Sequence, residues 1–204
     1  LAVFADPLKG TARKLSLYSG LTEAGADFDW HGLTHGLKEH LGVPSKIDSK
    51  HNHAVLTFDV SPDIVKKWLH EHYPLLHILS TGQTIDLYKD IGTPSMVANR
   101  YDFASLTGSH LVGHTRMATE SAVTTMGAHP FSTGSDQCLV HNGSLSNHNG
   151  VRRELKRLGM TFETENDTEV GAAFISHKLQ TGETLGNALE ATLTDLDGFF
   201  TFVV

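Results

Sequence analysis

The chain has 204 residues, enough for one large domain or for a domain that carries an insertion. Hydrophobic residues make up 39 % of it and charged residues 19 %, as in ordinary globular proteins, and no apolar run approaches the ~18 residues that a membrane span requires. With 16 basic and 23 acidic residues the net charge is −7, which argues against nucleic acid or an anionic membrane as the main partner.

Cys138 is the single cysteine of the sequence. One cysteine cannot form an internal disulfide, so a reducing compartment, the cytoplasm, is expected. Leu139 and Val140 follow it in an apolar run. This neighbourhood predicts a small buried thiol rather than a nucleophile.

The early part of the chain begins with an apolar, strand-like run over residues 1–5. A helix is predicted from Trp30 to Leu41, with Asp27 as its N-cap and Gly42 after its end. A second helix is predicted to begin at Ser61-Pro62.

A strand is expected over residues 53–60, between these two helices, and two more over residues 75–79 and 84–88, so residues 11–89 contain a unit of mixed strands and helices. We predict that this unit is a small inserted α+β subdomain. The surrounding domain would consist of residues 1–10 and 90–204.

Histidines are frequent in the early part, and His31 and His35 could share a helix face as zinc ligands do. The residue after His31 is Gly32, not the glutamate of a metalloprotease helix, and no third ligand is evident. Solvated or capping histidines are therefore predicted, with no metal site.

Beyond residue 90, Thr93-Pro94 predicts the start of a helix. A strand over residues 111–114 then leads to Arg116, and a strand over residues 137–141 runs into Asn142-Gly143.

The last part of the chain predicts a helix that ends at Gly159 and a strand over residues 160–163. Asp167 is the predicted N-cap of the next helix. A further helix over residues 185–196 precedes a final strand after Gly198. This mixture of elements indicates an α+β fold.

Three short runs supply polar groups of different kinds: GHTRMAT, LVHNG and ENDTE, at residues 113–119, 139–143 and 165–169. Taken singly, Arg116 is typical of a surface ion pair, Asn142-Gly143 of a hairpin turn and Asp167 of a helix cap. Taken together, a cation and a carboxylate would hold both ends of a zwitterionic amino acid, and the amide would face an oxyanion at its side chain. The set predicts a glutamine site.

Further runs extend the pattern: AHPF, RRELKRLGMTFETENDTEV and LDGFFTFVV, at residues 128–131, 152–170 and 196–204. From about residue 102 onward the chain resembles a class II glutamine amidotransferase domain, whose fold is a four-layer αββα sandwich of the N-terminal-nucleophile hydrolases. The run over residues 113–134 is similar to the amidotransferase subunit of glutamate-synthase-like complexes, in particular N-methylglutamate synthase.

The resemblance implies a mechanism in which an N-terminal cysteine attacks glutamine and its own α-amino group is the base. This family opens with Cys-Gly and an aliphatic residue, so the cysteine is expected just upstream of Leu1. The side chain of Asn142 and the backbone N–H of Gly143 would form the oxyanion hole.

The resemblance also assigns the residues that bind glutamine. Arg116 would pair with its α-carboxylate and Asp167 with its α-ammonium. Thr119 and His129 would line the pocket.

The function that these residues favour is a glutaminase (amidotransferase) subunit, which hydrolyses glutamine and hands ammonia to a partner. The resemblance implies a hetero-oligomer with a flavin-containing synthase subunit. FMN and an iron–sulfur cluster would belong to that partner, with no cofactor in this chain.

Two alternatives stay open. A catalytically inactive subunit with a structural or glutamine-binding role would follow if Leu1 were the true N-terminus, because no thiol would then lie at the site. An N-terminal-nucleophile amidohydrolase for other substrates is disfavoured, because a cation that binds a carboxylate and a carboxylate that binds an ammonium together specify an α-amino acid.

Overall fold

A computed structural model describes residues 1–20, 28–115 and 123–204. The fold is α+β, and the chain divides into two compact units. The first, here the N-terminal unit, comprises Ala2–Tyr88 and Gly92–Leu111. The second, the C-terminal unit, comprises Leu1, Lys89–Ile91 and Val112–Val204. Residues 2–10 and 92–111 therefore group with the N-terminal unit, and the domain boundaries at residues 10 and 90 stay a prediction.

A four-stranded antiparallel sheet with the order β3-β4-β2-β5 forms the centre of the N-terminal unit. Its core contains Leu15 and Leu17, which are fully buried because they lie on the covered face of a central strand. The strands are β2 (Arg13–Tyr18), β3 (Ser45–Lys50), β4 (His53–Phe58) and β5 (His77–Gly82).

Helices α1 (Trp30–Leu41) and α2 (Pro62–His72) contribute to the same core through Leu33, Leu37 and Trp68. The predicted cap of α1 was wrong by two positions. Asp29 is the N-cap and accepts a hydrogen bond of 2.8 Å from the backbone N–H of Gly32. Gly42 ends the helix with a φ of 66°, as its position predicted, and Ser61-Pro62 starts α2.

The rest of the N-terminal unit contains a three-stranded sheet with the order β6-β1-β7. Its strands are β1 (Ala2–Phe4), β6 (Ile85–Leu87) and β7 (His110–Val112), the last ending where the chain passes into the C-terminal unit. Between β6 and β7 lie α3 (Pro94–Arg100), which starts after Thr93 as predicted, and a short 3-10 helix (Phe103–Ser105).

In its described residues, the C-terminal unit combines a two-stranded antiparallel ribbon with three helices. In the ribbon, β8 (Val140–Leu145) pairs with β9 (Gly198–Val203) along their whole length. The helices are α4 (His148–Arg157), α5 (Asp167–Gln180) and α6 (Leu185–Asp195). Helix α5 is buried from Thr168 to Ser176, so it is the central helix of this unit.

The strand predicted over residues 160–163 does not form. The backbone N–H of Glu163 donates instead to the side-chain carboxylate of Glu169, at 2.7 Å, and the N–H of Thr164 donates to the same carboxylate at 2.8 Å. These donors are therefore used in a turn that leads into α5, and not in a strand ladder.

Apolar side chains of α6 and β9 line a groove on the C-terminal unit, among them Leu189, Leu193 and Phe200. None of the predicted site residues within the described ranges lines this groove. Over the described parts of the chain, no helix combines the length and the apolar character needed to cross a bilayer.

Candidate functional site

Strand β8 carries the Asn142-Gly143 pair. The pair was expected to follow a strand, or to form a hairpin turn, but it lies inside β8 opposite Thr201 and Phe200 of β9. His141 and Leu145 are buried, whereas Asn142, Gly143 and the next residue are exposed. The side chain of Asn142 makes no hydrogen bond to any residue in the described ranges, so its amide is available to a ligand.

Gly143 is required by the neighbouring strand. Its φ is 135°, and a Cβ atom at this position would lie 2.1 Å from the carbonyl oxygen of Phe199 and 2.8 Å from Cα of Phe200. A side chain is excluded by both the backbone conformation and the close approach of β9. Glycine is therefore needed here for the packing of β9, independently of any role in an oxyanion hole.

Asp167 is the first residue of α5, not its N-cap. The cap is Asn166, whose side chain accepts from the backbone N–H of Thr168 at 2.9 Å. The Asp167 carboxylate is thereby left to face β8. Its Oδ2 accepts a hydrogen bond of 3.0 Å from the backbone N–H of Leu145, and its Oδ1 lies 3.7 Å from Nδ1 of His141.

The pKa of the Asp167 carboxyl follows from these neighbours. Burial raises it, but His141, the backbone N–H of Leu145 and the imidazole of His148 outweigh that effect and lower the pKa to about 2. Because 3.7 Å exceeds a hydrogen-bond length, His141 acts on the carboxylate by electrostatic attraction. The C-terminal unit thus holds an ionised carboxylate beside β8 at neutral pH.

A turn before α5 fixes the position of Asp167. Glu169 is buried and accepts from the backbone N–H groups of Glu163 and Thr164. Arg152 is also buried, and its guanidinium donates to Glu165 and, at 3.0 Å, to the carbonyl oxygen of Asn166. The residues on both sides of Asp167 are therefore tied down by charge-assisted hydrogen bonds.

His129 is joined to this region through Thr168. The hydroxyl oxygen of Thr168 lies 3.0 Å from Nε2 of His129 and 3.0 Å from Nδ1 of His141. All three side chains are buried. Neither His141 nor Thr168 was predicted as a site residue, although each adjoins one in the sequence.

The loop that carries His129 is held by the short segment Lys89–Ile91. The ammonium of the buried Lys89 donates to the carbonyl oxygen of Met126 at 2.9 Å and lies 4.4 Å from the ring centre of Phe131. Burial lowers the pKa of Lys89 to about 8, although Glu169 opposes that shift. The hydroxyl of Thr125 donates to Asp90 at 3.0 Å.

Two of the residues predicted to bind glutamine, Arg116 and Thr119, lie outside the described residues. Cys138 is buried, as predicted, and burial raises the pKa of its thiol to about 12, so it stays protonated. Within the described ranges no group of three or more His, Cys, Asp or Glu side chains is placed to hold a metal ion, and His35 lies 3.3 Å from Glu39 on α1.

Comparison with protein families gives a match over residues 103–204, half of the chain, to the family described as "Glutamine amidotransferase domain". The matched range contains Asn142, Gly143, Arg116, Thr119, His129 and Asp167, but not the cysteine expected upstream of Leu1.

Individual relatives agree with this match. The chain is 50 % identical, over its whole length, to the glutamine amidotransferase-like protein GlxB of Rhizobium meliloti (strain 1021), and it covers 66 % of that protein. It is 42 % identical to a glutamine–fructose-6-phosphate aminotransferase (isomerizing) of Pseudomonas putida over 61 % of the chain and 20 % of that protein. The chain thus spans less than two thirds of the length of either relative.

Among solved structures, glutamine phosphoribosylpyrophosphate amidotransferase from B. subtilis, complexed with ADP and GMP, matches with a TM-score of 0.42 and 24 % identity. That match covers 60 % of this chain and 25 % of the solved chain.

Proposed function

The chain belongs to the class II glutamine amidotransferase family, and from that membership we propose that it is the glutaminase part of a larger enzyme. It hydrolyses the side-chain amide of glutamine to give glutamate and ammonia. The ammonia passes to a synthase partner, which uses it on a second substrate.

The observation that carries the proposal is that strand β8 presents an exposed side-chain amide and also bonds to an ionised carboxylate. The side chain of Asn142 is exposed on β8 and makes no hydrogen bond to the described residues, and Asp167 is ionised and bonded to Leu145 of the same strand. Asp167 would take the α-ammonium of glutamine, and Arg116 its α-carboxylate. Thr119 and His129 would line the pocket between them.

The reaction would begin with a cysteine just upstream of Leu1. Leu1 groups with β8 and α5 in the C-terminal unit, which supports this placement of the nucleophile. The sulfur attacks the amide carbon, and its proton goes to the cysteine's own α-amine. The resulting oxyanion accepts hydrogen bonds from the side-chain amide of Asn142 and the backbone N–H of Gly143. Ammonia leaves with a proton from the α-ammonium, and water then cleaves the thioester to release glutamate.

The partner would be a flavin-containing subunit of a glutamate-synthase-like complex, such as N-methylglutamate synthase. The run over residues 113–134 supports this assignment by its similarity to the amidotransferase subunits of such complexes. FMN and an iron–sulfur cluster would lie on that subunit, in a cytoplasmic hetero-oligomer. We also propose the four-layer αββα sandwich for this domain, because it is the fold of the family that the sequence resembles.

A second function is favoured by the state of Cys138. It is the sole thiol in the 204 residues, and it is buried with a raised pKa, so it cannot replace an N-terminal nucleophile. A subunit without an upstream cysteine would bind glutamine or support its partner without turnover.

Alkylation of the full-length encoded protein by a diazoketone analogue of glutamine separates the two functions. Intact-protein and peptide mass spectrometry would locate the added mass, and glutamate release would be measured in parallel. Label on a cysteine upstream of Leu1, with glutamate release that depends on Asn142, would support the glutaminase. An unlabelled protein with no glutamate release, or label on Cys138 alone, would contradict it. Cys138→Ser serves as the control for off-site labelling.

A further inference from the structure

His141, Thr168 and His129 form a buried chain of hydrogen-bonding groups. In the proposed reaction His129 lines the pocket, and the other two residues have no role. We propose that Thr168 and His141 are positioning residues: a directed chain, from Nδ1–H of His141 to the Thr168 hydroxyl and on to Nε2 of His129, sets the tautomer of His129 and steadies Asp167. This inference deepens the proposed function and rests on it for its kinetic consequence. The tautomers of the two histidines can be measured without an assay of enzyme activity.

The direction of the chain follows from the count of protons. The Thr168 oxygen lies 3.0 Å from one ring nitrogen of each histidine. A hydroxyl has one proton and can donate to only one of them, so the other histidine must donate to the hydroxyl oxygen.

Asp167 identifies which histidine donates. Its Oδ1 lies 3.7 Å from Nδ1 of His141, and an ionised carboxylate only accepts hydrogen bonds. A lone pair on Nδ1 would face this negative charge, whereas a proton there is attracted to it. Nδ1 of His141 therefore carries the proton and donates to Thr168.

The proton of the Thr168 hydroxyl then has two possible acceptors. Nε2 of His129 is at 3.0 Å, and Oδ1 of Asp167 is at 3.4 Å. Hydroxyl-to-oxygen hydrogen bonds are about 2.5–3.0 Å long, so the carboxylate is too far for a good bond. Nε2 of His129 accepts the proton, and His129 is held as the Nδ1–H tautomer.

Thr168 is not among the residues proposed to contact glutamine, and it acts through His129 and Asp167, which are. It follows Asp167 on α5, and its two imidazole partners lie 27 and 39 positions away in the sequence. Removal of the hydroxyl would leave two buried ring nitrogens without their partner. The tautomer of His129 and the position of the Asp167 carboxylate would then both be less well fixed.

Long-range ¹H–¹⁵N spectra of the full-length protein, labelled with ¹⁵N-histidine, read the tautomers directly at a pH where both imidazoles are neutral. The expected result is a protonated Nδ1 and an unprotonated Nε2 in both His129 and His141. Thr168→Ser should keep this pattern, and Thr168→Val should shift His129 to a mixture of tautomers. Thr133→Val is the matched control, since its hydroxyl contacts Ser176, at 2.7 Å, and no histidine.

Steady-state kinetics with glutamine provide the second readout. Thr168→Val should raise KM by about 3- to 10-fold, the effect of losing one hydrogen bond, with a smaller fall in kcat. Thr168→Ser and Thr133→Val should stay within about twofold of the wild type. A purely structural role for Thr168 would lower thermal stability and leave KM unchanged.

A wild-type His129 protonated on Nε2, or the same tautomer of His129 in Thr168→Val as in the wild type, would overturn the inference. The wild-type spectrum decides this even if the valine variant does not fold. A wild-type protein that releases no glutamate would overturn the proposed function instead. The spectrum of His129 would still test the proposed hydrogen-bond chain.

Discussion

The backbone N–H of Leu145 donates to Oδ2 of Asp167 across 3.0 Å, and this bond joins strand β8 to the first residue of α5. The same strand carries Asn142, three positions earlier, with its amide exposed. The carboxylate and the amide are therefore set by one strand, although they are far apart in sequence. Substitutions at these two positions should separate binding from chemistry.

Asp167→Asn should weaken glutamine binding without unfolding the protein. The amide oxygen of asparagine can still accept from Leu145, but the charge that would pair with the α-ammonium is lost. Because a hydrogen bond to a charged group contributes about 1.5–3 kcal/mol, KM should rise by roughly 10- to 100-fold. Initial rates of glutamate release would measure it. Asp197→Asn, which changes an acceptor of the Ser146 hydroxyl, is the control and should leave KM unchanged.

Asn142→Ala should act mainly on the chemical step. Removal of one oxyanion-hole donor typically lowers kcat by about 100- to 1000-fold. Since the Asn142 side chain is exposed and makes no hydrogen bond within the described residues, the free energy of unfolding should change by less than about 0.5 kcal/mol. Ser144→Ala, on the same exposed face of β8, should leave kcat unchanged. Equal losses of kcat in both variants would argue against an oxyanion role for Asn142.

Several helix ends were predictable from the sequence, because the residues that start or end a helix are local. Ser61-Pro62, Thr93-Pro94 and Gly42 lie where their chemistry placed them. Strand β3 was missed because its sequence, SKIDSK, has only one large apolar residue, as an exposed edge strand can. Asp167 was misread as a cap because Asn and Asp compete for that position, and nothing local decides between them.

The candidate site was predictable only where a motif marks it. The Asp167 and Asn142 positions follow from short runs, whereas His141 and Thr168 meet across 27 positions of sequence. The pattern of one sequence does not contain such a long-range contact. Period-two alternation in β8 would have placed His141 on the buried face, but not beside a threonine of α5.

Gly143→Ala should destabilise the fold more than an alanine at an equally unusual backbone angle. At Gly143 the new Cβ would meet the backbone of β9 at 2.1 Å, so the ribbon must open. We expect a loss of more than about 3 kcal/mol in denaturant unfolding. Gly159→Ala is the matched control: its φ is 92° and no heavy atom lies within 4 Å of the new Cβ, so it should cost about 1 kcal/mol. Similar losses at the two sites would show that β9 relaxes away from β8 without difficulty.

Acid should weaken the wild type more than Asp167→Asn. The pKa of Asp167 is lowered to about 2 in the folded protein from 3.8, so its carboxylate stabilises the fold above about pH 4. That contribution is lost as pH falls through 3.8 towards 2, because the folded state must then take up a proton that the unfolded state already holds. The difference in unfolding free energy between wild type and Asp167→Asn should therefore shrink by about 2 kcal/mol between pH 6 and pH 2. Urea unfolding at fixed ionic strength across this range would measure the difference, and parallel curves for the two proteins would mean that His141 and Leu145 do not favour the ionised carboxylate.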